Sequence, residues 1–173
     1  MLTAENVAAV RLLWHKHLGR VLDIERRAHT STDPDFGVPL TGRAAWGRAD
    51  FVDFLGGEGA RGYGIWDAVD VLVGHLVTTP GRRCYWVDRL VVDPDYRRMC
   101  FGTLALYHVL EKCKKSRRRK CLRALVPLDN REGLAFALAF ARQNHLTART
   151  ALADKDGDLV GVTIYPPAAP RGR

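Results

Sequence analysis

The stretch RLVVDPDYRRMCFGTLAL, Arg89 to Leu106, decides how the rest of the chain is read. It begins as an apolar, β-branched run, which suits a strand buried in a sheet. Asp93-Pro94 stops that strand, because proline has no N–H to give a ladder and restricts the residue before it. A short basic turn follows. Leu106, Val109, Leu110 and Cys113 then recur at i, i+3, i+4 and i+7, which predicts an amphipathic helix from Phe101 to Lys115. Lys112, Lys114 and Lys115 lie near its C-terminus, where cations suit the helix dipole. A helix start presents backbone N–H groups without intrahelical acceptors and a partial positive charge, so phosphate binds well there. Arg97 and Arg98 add fork-shaped donors beside it. Strand, basic turn and helix alone could equally be a surface turn.

Working outward, Arg83 to Val92 reads as one long strand, rich in β-branched and aromatic residues. Before it, Gly62 to Asp67 and Val71 to Thr79 read as two strands joined by a tight turn. Further upstream, Val10 to Trp14 reads as a first strand and His17 to Ala28 as a helix. A polar, Pro-containing loop from Thr30 to Pro39 leads to a short helix over Arg48 to Leu55, closed by Gly56-Gly57. Downstream, Cys121 to Pro127 is a buried strand, and Asn130 caps a helix through Ala141. Leu146 to Ala153 and Leu159 to Tyr165 form a hairpin around Lys155-Asp156-Gly157-Asp158. The order is β-α-α-β-β-β-α-β-α-β-β: an α/β (α+β) domain with one central, mostly antiparallel sheet. We place that domain at residues 1–165, with a Pro-rich tail at 166–173.

The composition excludes several classes. The chain has 173 residues, enough to bury a core without staples, and 47% hydrophobic with 27% charged residues is ordinary globular usage. No apolar run approaches the roughly 18 residues that span a bilayer, and the start lacks the order of a signal peptide, so a cytoplasmic protein is expected. Cys84, Cys100, Cys113 and Cys121 show no metal-ligand spacing, so no metal is expected and the thiols read as reduced. Trp14, Trp46, Trp66 and Trp86 read as core residues. The net charge is +8, which favours anionic partners: a nucleotide cofactor, RNA or an acidic peptide. Part of it sits in KKSRRRK, Lys114 to Lys120, a candidate anionic-partner site whose simpler reading is a solvated loop.

The stretch also resembles the central cofactor motif of the GNAT superfamily, the Gcn5-related N-acetyltransferases: Arg or Gln, two residues, Gly, one residue, then Gly or Ala. Arg97 matches the first position and Gly102 the last, while Cys100 stands where Gly is usual. VRLLWHKHLGRVLDIERRAH is similar to the family's opening strand and helix. WGRADFVDFL resembles a segment of the ribosomal-protein alanine acetyltransferase branch.

The resemblance implies acetyl-CoA, or another short acyl-CoA, as co-substrate. Its pantetheine would lie between splayed fourth and fifth strands and pair with the backbone of Leu90, Val91 and Val92. Its pyrophosphate would sit on Arg97, Arg98, Met99, Cys100, Phe101, Gly102 and Thr103. Asn130 matches a position that contacts the cofactor, beside its reading as a helix cap. The small Cys100 is expected to fit if its φ is negative.

The reaction needs a base to take the proton of an attacking amine. Asp88 is the candidate, standing where many members carry Glu or Asp. The family's usual acid is a Tyr, and Ala137 stands there; Tyr107, Tyr165 and Cys113 are the nearby alternatives. The acceptor implied is a primary amine, a peptide or protein N-terminus first, with lysine or a small amine open, in a monomer or homodimer. A second reading is a non-catalytic acyl-CoA-binding or ribosome- or RNA-associated module.

Overall fold

In a computed structural model, which describes residues 8–30, 44–153 and 158–167, the strand that carries Arg89 lies at the centre of a seven-stranded sheet. The strands are β1 (Ala9–Leu12), β2 (Arg61–Trp66), β3 (Leu72–Pro80), β4 (Cys84–Val92), β5 (Cys121–Pro127), β6 (Thr147–Leu152) and β7 (Leu159–Tyr165), in spatial order β1-β2-β3-β4-β5-β7-β6. All neighbours are antiparallel except β4 and β5, which run parallel. The connection between those two must cross over, and it contains helix α3 (Phe101–Lys115). The other helices are α1 (Leu18–Thr30), α2 (Arg48–Gly56) and α4 (Arg131–Gln143).

The sheet separates two cores. Strand alternation sends Tyr63, Leu76, Leu90, Leu122, Val126, Val162 and Ile164 to one face, where they meet Leu106, Val109 and Leu110 of α3 and Ala137, Phe140 and Ala141 of α4. On the other face, Val77 and Val91 pack against Val21, Ile24 and Ala28 of α1 and Phe51 of α2. No buried residue of this second cluster comes from β5, β6 or β7.

The predicted elements form, with shifts at their ends. α3 and β5 keep their expected limits. The first strand is shorter than expected: β1 ends at Leu12, and a 3-10 turn at His15–His17 precedes α1. Leu13 packs beside the α1/α2 core, and Trp14 is 66% exposed. The expectation that the four tryptophans are core fails for Trp14; Trp46 and Trp66 are half-buried and flank the second core, and Trp86 is half-buried on β4. Thr30, expected to open a loop, is the last residue of α1; the rest of that loop to Pro39, the turn at Lys155-Asp156-Gly157 and most of the tail lie outside the described residues.

Candidate active site

β4 and β5 stay together for only four residue pairs, from Cys84↔Cys121 to Val87↔Ala124. Beyond that level the two strands run on separately, to Val92 and Pro127. The result is a gap in the sheet flanked by Leu90, Val91 and Val92 on one side. Leu90 and Val91 are buried, on opposite faces.

Asp88 stands at the start of this gap. Arg89 opposes Val77 and Val87 opposes Thr78, so Asp88 is an extra residue, a β-bulge. Bulges bend a strand and re-aim a side chain. Asp88 is half-buried, and that burial pushes its carboxyl above the ordinary value, against hydrogen bonds from Thr79 that pull it down.

The strand's far end is held by a buried carboxylate. Asp93 is fully buried. It accepts from Arg20 at 2.6 Å and Arg27 at 2.7 Å on one oxygen. The other oxygen accepts from the amide of Asp95 at 3.2 Å, capping a 3-10 turn at Pro94–Tyr96. Asp93-Pro94 thus ends the strand and also ties the turn to α1.

The turn then delivers the chain to α3. Arg97 directs its Nε to the carbonyl of Val92 at 3.4 Å. Arg98 and Met99 are exposed. Cys100 is the N-cap, has no side-chain capping bond, and its φ is 65°, in the left-handed region. The condition on which Cys100 was expected to fit, a negative φ, is therefore not met. Two left-handed residues, Arg98 at 61° and Cys100 at 65°, turn the chain between β4 and α3, and that is the geometry that favours glycine. The first helical bond runs from Leu104 N–H to the Cys100 carbonyl at 2.9 Å. The N–H groups of Phe101, Gly102 and Thr103 precede it and have no acceptor within the helix. Gly102 has a packing reason as well: a Cβ there would lie 3.0 Å from Phe136 of α4.

Asn130 is 1% exposed and caps α4, its Oδ1 accepting from Gly133 N–H at 2.9 Å. Ala137 is buried in the α3/α4 core. Of the alternative proton donors, Cys113 is fully buried in that core and its thiol is pushed up to about 12, mainly by burial. Tyr107 donates to Asn144 at the end of α4. Tyr165 lies on β7 opposite Thr147, one residue beyond the Leu122 level, at the closed end of the sheet. None of the three is brought to the gap.

Sequence reasoning missed a buried network next to Asp88. Arg89, His75 and Glu25 are all fully buried. Arg89 donates to both oxygens of Glu25, at 2.9 and 2.5 Å, and to the carbonyl of Ala44 at 2.7 Å. Trp46 N–H also reaches Glu25, at 3.1 Å. His75 Nε2 lies 2.9 Å from Glu25 Oε1, while its buried Nδ1 has no partner among the described residues. The proton therefore belongs on Nε2. Burial pushes the Glu25 carboxyl up, but hydrogen bonds from Arg89 and His75 and the charge of Arg89 outweigh it and hold the group at about 2. Burial keeps His75 below its ordinary value, so it is neutral at pH 7. One signal was available: an arginine beside Asp88 in a strand whose other residues are apolar or aromatic.

The site is thus a central sheet parted between two parallel strands, with β4 leading through a short turn into a helix start that has no side-chain cap. The chain belongs to the acetyltransferase (GNAT) family, whose profile matches residues 18–141, and it is an N-acetyltransferase by family. Solved structures share the fold over nearly its full length. The ribosomal-protein-S18-alanine N-acetyltransferase from Escherichia coli superposes with a TM-score of 0.63 at 19% identity, covering 96% of this chain and 97% of that one. Spermidine N-acetyltransferase from Vibrio cholerae, in complex with CoA and spermine, gives 0.65 at 12%, covering 91% and 95%. A phosphinothricin acetyltransferase from Sinorhizobium meliloti, in complex with AcCoA, gives 0.63 at 15%, covering 91% and 88%. No match appears among curated proteins. No helix among the described residues is long and apolar enough to cross a membrane.

Proposed function

We propose that this chain, as one domain over residues 1–165 in the cytoplasm, transfers an acetyl group from acetyl-CoA to a primary amine, with a peptide or protein N-terminus as the favoured acceptor. The carrying observation is the parting of β4 and β5 after Val87 and Ala124, with Asp88 at the bulge where the gap begins. The backbone of Leu90 to Val92 pairs with the pantetheine amides. The pyrophosphate rests on Phe101 to Thr103 N–H groups, with Arg97 and Arg98 supplying charge and Met99 and Cys100 shaping the turn. Asn130 supports this indirectly, by fixing the start of α4.

The amine nitrogen attacks the thioester carbonyl and forms the C–N bond; the C–S bond breaks and CoA leaves as the thiolate. A strand-four N–H stabilises the oxyanion as charge develops. Asp88, raised above the ordinary carboxyl value by burial, takes the amine proton directly or through a water. Ala137 supplies no acid, so the thiolate takes its proton from solvent.

Turnover of acetyl-CoA with a panel of peptides, lysine and polyamines tests the reading. Asp88→Asn lowers kcat by about 100-fold or more with unchanged acetyl-CoA affinity. The Arg97→Ala, Arg98→Ala double variant weakens acetyl-CoA binding in a folded protein. Unchanged affinity there rules out the phosphate placement, and unchanged turnover of Asp88→Asn across pH removes Asp88. One observation favours a second reading, an acyl-CoA-binding module without transfer: a buried alanine occupies the position of the family's acid. Tight CoA binding with no transfer to any amine selects it. The run from Lys114 to Lys120 gives that reading less support, since Lys114 pairs with Glu111 and Arg119 bonds the Gly81 carbonyl and stacks on Tyr85.

A further inference from the structure

The net charge of +8 is not spread over the protein. Arg82 and Arg83, in the turn between β3 and β4, and Glu111 to Lys120, at the end of α3 and in the loop after it, hold nine of the 27 Lys and Arg and one of the 19 Asp and Glu. That equals the whole net charge, and the rest of the chain carries 18 of each sign. The fold brings these two segments together. Lys120 N–H bonds the Arg83 carbonyl at 3.0 Å, and Arg119 Nε bonds the Gly81 carbonyl at 2.8 Å. Cys84 pairs with Cys121 where β4 and β5 begin. The charge is therefore one patch at the closed end of the sheet.

Several of these cations are engaged within the protein. Lys112 bonds Tyr63, Lys114 pairs with Glu111 at 2.6 Å, and Lys120 bonds the Ser116 carbonyl at 2.8 Å. Arg119 lies over the ring of Tyr85, as Arg123 further along β5 lies over that of Trp86. Arg82, Arg83, Arg117 and Arg118 differ: all four are exposed, and none pairs with a carboxylate among the described residues. Four guanidinium groups on two adjoining loops repel one another and raise the local potential, and a polyanion relieves both. Their forks fit phosphate oxygens. Every exposed side chain in the two segments is charged, so no ring stands out to stack on an unpaired base and no apolar group to enter a lipid layer. A turn and a loop form the surface, with no helix projecting to read the wide major groove of B-form DNA. Duplex RNA is recognised through its shape and backbone, which is what such a surface meets.

We propose that this patch is a docking surface for duplex RNA, with Arg82, Arg83, Arg117 and Arg118 each meeting a backbone phosphate and no base being read. The surface is separate from the acetyl-CoA turn. α3 begins at that turn with Phe101 and ends at the patch with Lys115, about 20 Å further along the helix axis. RNA docking therefore does not depend on the transfer chemistry.

The test is fluorescence anisotropy of the full chain with a labelled RNA duplex of mixed sequence. Four phosphate contacts imply that binding weakens about 100-fold as salt rises from about 50 to about 200 mM. The Arg117→Gln, Arg118→Gln double variant lowers the slope of log Kd against log salt by about two, and so does Arg82→Gln with Arg83→Gln. Arg26→Gln with Arg48→Gln removes the same charge from α1 and α2 and leaves the slope unchanged. Acetyl-CoA affinity is unchanged in both patch variants, and circular dichroism checks their fold. The RNA duplex binds at least as tightly as a DNA duplex of the same sequence, the single-stranded RNA or polyglutamate. No RNA binding at about 50 mM salt, an affinity that the patch variants leave unmoved, or one that the α1/α2 variant lowers as much, overturns the proposal. Tighter binding of the DNA duplex, the single strand or polyglutamate overturns it too. None of these readouts requires an acetylated product, so loss of the transfer reading leaves the test intact.

Discussion

Replacing Glu25 by glutamine keeps the shape of the side chain and removes its charge from the centre of the second core. Glu25 is fully buried and receives two bonds from Arg89, one from Trp46 N–H and one from His75. The carboxyl lies at about 2 where its ordinary value is 4.5. That difference corresponds to on the order of 3 kcal/mol of native-state stabilisation, at about 1.4 kcal/mol for each pH unit. Removing one partner of a buried ion pair costs about 3–5 kcal/mol, which agrees. For a domain of this size a loss of about 3 kcal/mol lowers Tm by roughly 6–12 °C. The pH dependence follows from the sign of the displacement. A carboxyl held low when folded stabilises the protein fully above about 4.5, and that contribution disappears as pH falls toward 2. Urea unfolding of wild type and Glu25→Gln, in steps from pH 7 to pH 2.5, reads this directly. The gap between the two proteins should be largest near pH 7 and close through the acid range. A gap under about 1 kcal/mol at pH 7, or one that stays constant as pH falls, would refute the network as a source of stability.

Cys100→Gly should stabilise the protein by about 0.5–1 kcal/mol, since relief of a left-handed φ outweighs the added freedom of glycine in the unfolded chain; a higher urea midpoint checks it. Asp93→Ala should destabilise by about 2–3 kcal/mol, because Arg20 and Arg27 lose their shared acceptor and the turn before Arg97 loses its cap. Its acetyl-CoA affinity should fall with it, measured by calorimetry. Gly133→Ala should cost about 1–2 kcal/mol, because the new Cβ would stand 2.6 Å from the Asn130 amide and displace the α4 cap; thermal unfolding reads it. Thiol titration of the native protein should show a single fast-reacting group, the exposed Cys100, with Cys113 silent until urea unfolds the core.

Local pattern was enough for the framework because the determinants there are local. The heptad-like recurrence from Leu106 to Cys113 sets α3, and Asp93-Pro94 sets the end of β4 whatever lies elsewhere in the chain. The errors fall where a distant group decides. Leu13 and Trp14 continue the apolar run of β1, yet the Leu13 amide bonds the Gly62 carbonyl and the chain turns away into a 3-10 turn. Cys100 takes a left-handed φ because the turn between β4 and α3 requires it, and its own propensity argues for the opposite. Glu25, His75 and Arg89 are separated by 50 and 64 residues, so no window contains the network. The pairing of Arg123 with Trp86 likewise exists only because β4 and β5 run parallel.

Two adjacent residues of β4 carry different parts of the protein's design, and their adjacency links stability to chemistry. Arg89 is drawn fully into the α1/α2 core by Glu25, while Val87 is drawn into the α3/α4 core. Between two residues anchored on opposite faces, a regular strand has no place for a third, so Asp88 becomes the bulge. Its direction follows from the anchors on either side together with the hydrogen bonds from Thr79. Weakening the Glu25–Arg89 pair should relax the bulge before it unfolds the sheet. Glu25→Gln then acts on Asp88 from the opposite core, and a fall in kcat at temperatures where the variant is still folded is the signature of that coupling.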